Sequence, residues 1–143
     1  MKSTADELID CFEQNLASEK SFHHADHVRL AFEYLRAFSV LEALSRFSAG
    51  LKRFAAASGK TQFYNETITF AYFFLIRERM ARNEGVTWEE FAESNADLLV
   101  WKDGTLSRYY REATLKSDFA RNVFVLPDFA LDPELPDKDM PQL

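Results

Sequence analysis

Apolar residues return every three or four positions along this chain, with polar residues between them, which is the period of a helix and not of a strand. In the first stretch Leu8, Cys11, Phe12 and Leu16 share one face. Thr4-Ala-Asp-Glu7 starts it as a capping box, the threonine oxygen meeting exposed N–H groups and Glu7 replying, and its end is expected near Ser18. A second helix is expected from the histidines at 23–27 to about Ala37, with His24, Val28, Ala31 and Leu35 on one stripe, His27 at its edge and His23 furthest from it. Ser39-Val-Leu-Glu42 is a second capping box and opens a third helix, whose face is Val40, Leu41, Leu44, Phe47, Leu51 and Phe54. Gly50 inside it points to a close helix contact, and Ser58-Gly59 closes it.

The fourth helix is predicted from about Asn65 to Asn83, entered through residues 61–64. From Ile68 to Ile76 it has almost no polar face, the pattern of a helix with neighbours on most sides. Its β-branched and aromatic content would also suit a strand, but the period continues through Arg77, Met80 and Ala81. Thr87-Trp-Glu-Glu90 is another capping box, and short helical pieces are expected at 96–101, 105–111 and 115–121. The prolines lie at 127, 133, 136 and 141, so the chain ends in an extended tail, with Phe124, Leu126, Phe129 and Leu131 placed to pin its first half. The expected fold is all-α: a single-domain bundle of four principal helices plus short C-terminal helices over 1–126, and a Pro/Asp-rich tail over 127–143.

Composition narrows the function classes. With 143 residues, 47% apolar and 28% charged, the chain can bury a proper core, and fourteen phenylalanines make that core aromatic. The lone Cys11 excludes an internal disulfide and reads as a small core hydrophobe. No apolar leader precedes the first helix, and the nine-residue apolar run at 68–76 is too short to span a bilayer, so a cytoplasmic protein without a membrane partner is expected. The net charge of −6 argues against nucleic acid. Much of it is local: Asp128, Asp132, Glu134, Asp137 and Asp139 against Lys138 leave −4 in the tail and about −2 in the body.

The candidate chemistry gathers at the start of the second helix, where all three histidines lie within five positions. Histidines at i and i+3, His24 and His27, can aim both rings at one metal ion, and His23 with His27 can do so at i and i+4. A third ligand must come from elsewhere. Glu66 is the best candidate, because a carboxylate opening the most buried helix must cap that helix or pair with a cation or a histidine. Asp26 caps its own helix or accepts from a ring N–H and fixes its tautomer, while Tyr34 and Tyr72 offer hydroxyls. Three readings stay open: a divalent transition-metal site on His24, His27 and Glu66, a metal-free acid–base or small-molecule site, and a structural polar cluster between two helices. The absence of His-Glu-x-x-His excludes zincin chemistry, and the absence of Glu-x-x-His argues strongly against a ferritin-type di-iron centre. No glycine-rich phosphate loop, nucleophile elbow or cysteine pair occurs. Ser107-Arg-Tyr-Tyr-Arg111 with Lys102 offers an anion site, against the commoner reading of a mixed helix surface.

Phe22-x-His24-x-Asp26-His27-Val28 together with Tyr64-Asn65-Glu66-Thr67-x-Thr69 resembles a family of small, uncharacterised all-helical bacterial proteins that share Phe-x-His-x-x-His and His-Glu-Thr-x-Thr segments. The likeness covers roughly residues 20–125, with Leu-Pro-Asp at 126–128. It implies that His24, His27, Glu66, Thr67 and Thr69 correspond to the family's shared residues. Asn65 stands where the family has its third histidine, and an amide oxygen is a poor ligand for zinc, copper or iron. The resemblance brings no reaction with it. Two functions follow: a helical protein that uses His24, His27 and Glu66 around a metal or a small ligand, or a non-catalytic interaction module whose polar cluster is structural.

Overall fold

The computed structural model describes residues 3–15 and 22–129. They form helices α1 (Thr4–Glu13), α2 (His24–Ala37), α3 (Val40–Ala57), α4 (Glu66–Arg82), α5 (Trp88–Ser94), α6 (Glu112–Lys116) and α7 (Asp118–Asn122), with 3-10 turns at Thr61–Phe63, Ala96–Leu99 and Thr105–Arg108. No strand occurs among the described residues, so the chain is all-α. None of the described helices is long and apolar enough to cross a membrane.

Helix α2 is the axis of the bundle. It packs against α1, α3, α4 and the Ala96–Leu99 turn, and Leu30, Ala31, Phe32 and Tyr34 are fully enclosed. The start of α1 lies one residue earlier than the expected box. Ser3 is the cap, its hydroxyl accepting from the Asp6 N–H at 3.1 Å while Asp6 accepts from the Ser3 N–H at 3.4 Å. Adjacent hydroxyls each followed by an acid three residues on, Ser3/Asp6 and Thr4/Glu7, make the pattern ambiguous by one. Helix α1 buries Ile9 and Phe12, with Leu8 and Cys11 half-buried, and ends at Glu13 with Gln14 as its C-cap, short of the expected end near Ser18. Leu16 and Ser18 lie outside the described residues.

At α3, Ser39 accepts from the Glu42 N–H at 3.4 Å, but the return bond of a capping box is not made; the Glu42 carboxylate lies 3.7 Å from Arg46 instead. The buried line is Ala43, Phe47, Gly50 and Leu51, which turns Leu41 outward to 75% exposure, against the expected face. Gly50 earns its place by proximity. A Cβ there would stand 2.1 Å from Cε2 of Phe12, so only hydrogen fits where α1 crosses α3.

Residues 61–63 form their own turn and do not lead into α4. Asn65 caps that helix by accepting from the Ile68 N–H at 2.9 Å. Burial around α4 is broad but not complete: Tyr72, Phe73 and Ile76 are enclosed while Phe74 is 43% exposed. Two of its buried positions are threonines. The Thr67 hydroxyl, wholly buried, faces the Ala120 carbonyl at 2.8 Å and the Val123 carbonyl at 3.0 Å as donor, and accepts from the Val125 N–H at 3.1 Å. Further along, Arg79 donates to both Asp97 carboxylate oxygens at 3.0 and 2.9 Å and to Asn95 at 2.9 Å, holding the Ala96–Leu99 turn against α4.

The expected capping box at Thr87 and Glu90 is formed in both directions. The pieces expected at 96–101 and 105–111 shorten to 3-10 turns, and the one expected at 115–121 is two helices, α6 and α7. They are parted at Ser117, which is extended (φ −70°, ψ 150°) and caps α7. Beyond α7, Phe124 stacks on Phe70 at 5.9 Å and the Tyr110 hydroxyl donates to the Val125 carbonyl at 2.6 Å. The Arg111 N–H donates to Asp128, and the Phe129 N–H to the Tyr109 carbonyl. Leu126 is not pinned: it is 75% exposed. The Ser107–Arg111 patch thus seats the chain's own segment at 125–129. Leu131 lies outside the described residues.

Candidate functional site

The start of α2 sets the directions of the three imidazoles. His23 precedes the helix in extended backbone and is exposed, with its N–H donating to Asp26 at 2.9 Å, so Asp26 caps its own helix. One residue on, the His24 ring turns inward against Tyr72 and Trp101, at centroid distances of 4.8 and 5.2 Å. Its Nε2–H donates to the Leu98 carbonyl at 2.8 Å, which fixes the neutral tautomer with Nδ1 as acceptor. A helical turn later His27 lies between aromatic rings, Phe22 at 4.3 Å and Phe54 at 6.5 Å.

His24 and His27 both line a cavity of about 850 Å³ between α2, α3 and α4. Its apolar wall includes Val28, Phe47, Leu51, Ile68 and Ile76, and aromatic rings at Phe22, Phe54, Phe63, Tyr64, Tyr72 and Trp101 surround it. Asn65 and Thr69 contribute polar atoms from the first turn of α4, and Leu115, Lys116 and Arg121 close the far side from α6 and α7. The volume falls within the range of small-molecule sites.

Burial keeps both rings uncharged. His27 is brought down to about 4, first by desolvation and then by the neighbouring His24, against a smaller opposing pull from Asp26. His24 is lowered by burial despite its bond to the Leu98 carbonyl. A ring that stays neutral down to about pH 4 is a weak base, which disfavours His27 as a general base at neutral pH. It remains a good hydrogen-bond partner in an apolar setting. Burial, with the charge of Asp97, also pushes the Tyr72 hydroxyl up to about 12, so it too is neutral and able to donate.

Glu66 does not join the histidines. Its carboxylate accepts from the Tyr64 hydroxyl at 2.6 Å and lies 3.9 Å from the Lys52 ammonium, so it pairs with a cation, one of the two fates its position implied. Burial and this bond together raise the Tyr64 hydroxyl well above the usual phenol range. No group of three or more His, Cys, Asp and Glu side chains able to hold a metal stands together among the described residues. Asn65 is occupied on both sides: besides capping α4, its amide donates to the Leu115 carbonyl at 2.8 Å. Tyr34 lies away from the cavity, enclosed by Phe12, Phe38 and Phe47, with its hydroxyl raised by burial and by the Glu13 carboxylate.

Outside the histidine helix, Asn65, Thr69 and Tyr72 are the lining residues that the sequence marks. Phe63, Trp101, Lys60, Lys116 and Arg121 carry no motif or spacing that marks them as lining a site. Only tertiary packing gathers them, since 61 positions separate Lys60 from Arg121. No protein-family model, no curated protein and no solved structure matches the chain.

Proposed function

We propose that this protein binds a small, largely apolar molecule in the cavity between α2, α3 and α4, with His24, His27 and Tyr72 as uncharged groups of its wall. The observation that carries the proposal is the placement of His27. A ring held neutral to about pH 4 lines an aromatic space of about 850 Å³. Few polar groups in an apolar concavity are what a specific small-molecule site requires. These neutral groups leave the wall around an apolar body without charge, and no metal is assigned, because Glu66 is drawn to Tyr64 and Lys52.

The test is titration with the neutral fluorophore N-phenyl-1-naphthylamine, following its emission and that of Trp101 at the cavity edge. Saturable one-to-one binding is expected, abolished by Leu51→Trp, which fills the space from α3. A lack of saturable binding, or equal binding to a folded Leu51→Trp variant, would sink the proposal. A second reading, that the polar pair only docks helices, is favoured by the His24 bond to Leu98. It predicts that His24 and His27 variants change stability alone and leave ligand affinity untouched.

A further inference from the structure

The charge around the cavity narrows the chemical class of its ligand, an inference that rests on the binding function proposed above. Acidic residues outnumber basic ones in the chain, 23 to 17, yet none of the described residues lining the cavity is acidic. The charged groups that line it are Lys60, Lys116 and Arg121. They meet on one side. The Arg121 guanidinium donates to the Gln62 carbonyl at 3.0 Å, which sets α7 beside the 60–62 segment. Asn65, donating to the Leu115 carbonyl, brings the end of α6 to the same place.

The acids that Lys116 and Arg121 meet lie outside the cavity. Lys116 pairs with Glu112 and Arg121 with Asp118, and both carboxylates are more than three-quarters exposed. Such surface pairs are weak and screened, so Lys116 and Arg121 can turn to a bound anion at little cost. The opposite wall, with Phe47 and Ile76, is apolar, and the imidazoles beside it are neutral.

We propose that the ligand is a single-headed anionic amphiphile, with its apolar body against Phe47, Leu51 and Ile76 and its acid group beside Lys116 and Arg121. An uncharged molecule of the same shape leaves the cationic side unmatched, and an amine is repelled by it.

The experiment compares decanoate, 1-decanol and decylamine, below their aggregation thresholds at low ionic strength and pH 7.5, by displacement of N-phenyl-1-naphthylamine and by calorimetry. Decanoate is expected to bind at least about tenfold more tightly than decanol, and decylamine most weakly. The double variant Lys116→Gln/Arg121→Gln is expected to reduce decanoate to the affinity of decanol and to leave decanol unchanged. Lys116→Gln alone serves if loss of the Arg121 bond to Gln62 impairs folding, with an expected loss of a few-fold for decanoate only. Equal binding of decanoate and decanol overturns the anionic class while the cavity function stands, and tightest binding of decylamine does the same. If none of the three binds and the neutral fluorophore also fails, the cavity function falls too. A dimer, seen by sedimentation, whose formation shuts out the fluorophore would place a second copy in the cavity and overturn both.

Discussion

The Nε2–H of His24 donates to the carbonyl of Leu98 across 74 positions of sequence, tying the first turn of α2 to the Ala96–Leu99 turn. Replacing His24 with Phe keeps a ring between Tyr72 and Trp101 but leaves that carbonyl without its donor. The expected cost is about 1–2 kcal/mol in urea unfolding. Faster amide exchange over residues 96–105 than elsewhere should accompany it. Unchanged stability and exchange would show that water replaces the imidazole at no cost.

Acid should loosen the protein before its carboxylates titrate. His27 has an ordinary value of 6.5 and a folded value of about 4, so between these the unfolded chain binds the extra proton and stability falls as pH falls. The expected loss from pH 7 to pH 4 is about 2 kcal/mol, less than the full shift implies because the ring borders an open cavity. His24 adds to the slope in the same direction. His27→Gln should flatten most of the dependence over this window; an equally steep profile in the variant would place the titration elsewhere.

The contact of Gly50 with Phe12 predicts an asymmetric pair of variants. Gly50→Ala forces a methyl group into the Phe12 ring and should cost about 1–3 kcal/mol, lowering Tm by several degrees. Adding Phe12→Leu to Gly50→Ala should recover part of that loss, since the smaller side chain makes room. Strict additivity of the two would mean that the contact carries no strain.

Arg79 and Asp97 form a two-pronged pair that also engages Thr105, whose hydroxyl lies 3.0 Å from the carboxylate. The Arg79 bonds, foremost, hold Asp97 below its ordinary value of 3.8. Its stabilising effect is therefore present at neutral pH and is lost as pH falls through that lowered value. A double-mutant cycle with Arg79→Ala and Asp97→Ala should return a coupling of about 1 kcal/mol at pH 7. At pH 2.5 the coupling should be smaller, and a pH-independent coupling would refute an ionic origin.

Much of the helical frame was legible because its signals are local. Ser39, Thr87 and the spacing of Val28, Ala31 and Leu35 need only near neighbours to be read. The cap of α1 slipped by one residue because Ser3 and Thr4 satisfy the same rule. Leu41 reads as inward because a second apolar residue next to Val40 looks like part of the face, whereas the Phe12 contact at Gly50 fixes the rotation of α3. The inward turn of His24 and His27 could be read from the stripe, but the fate of Glu66 depends on Tyr64 and on Lys52 from another helix. Asn65 carries a legible signal of its own, an amide immediately before a helix, that comparison with a histidine obscured. The cations at the cavity share no spacing at all, so only the docking of α6 and α7 reveals them.

The Thr67 hydroxyl, by contacting main-chain groups of Ala120, Val123 and Val125, sets a timetable for biosynthesis. Helices α1 to α4 emerge from the ribosome long before residues 120–125, and until those arrive a buried hydroxyl at the start of α4 lacks its partners. The cavity is therefore expected to stay open on one side until residues 120–125 can dock. With the same linker clearing the exit tunnel in both, a stalled chain ending at residue 118 should remain protease-sensitive around α4, and one extended past Val125 should become resistant.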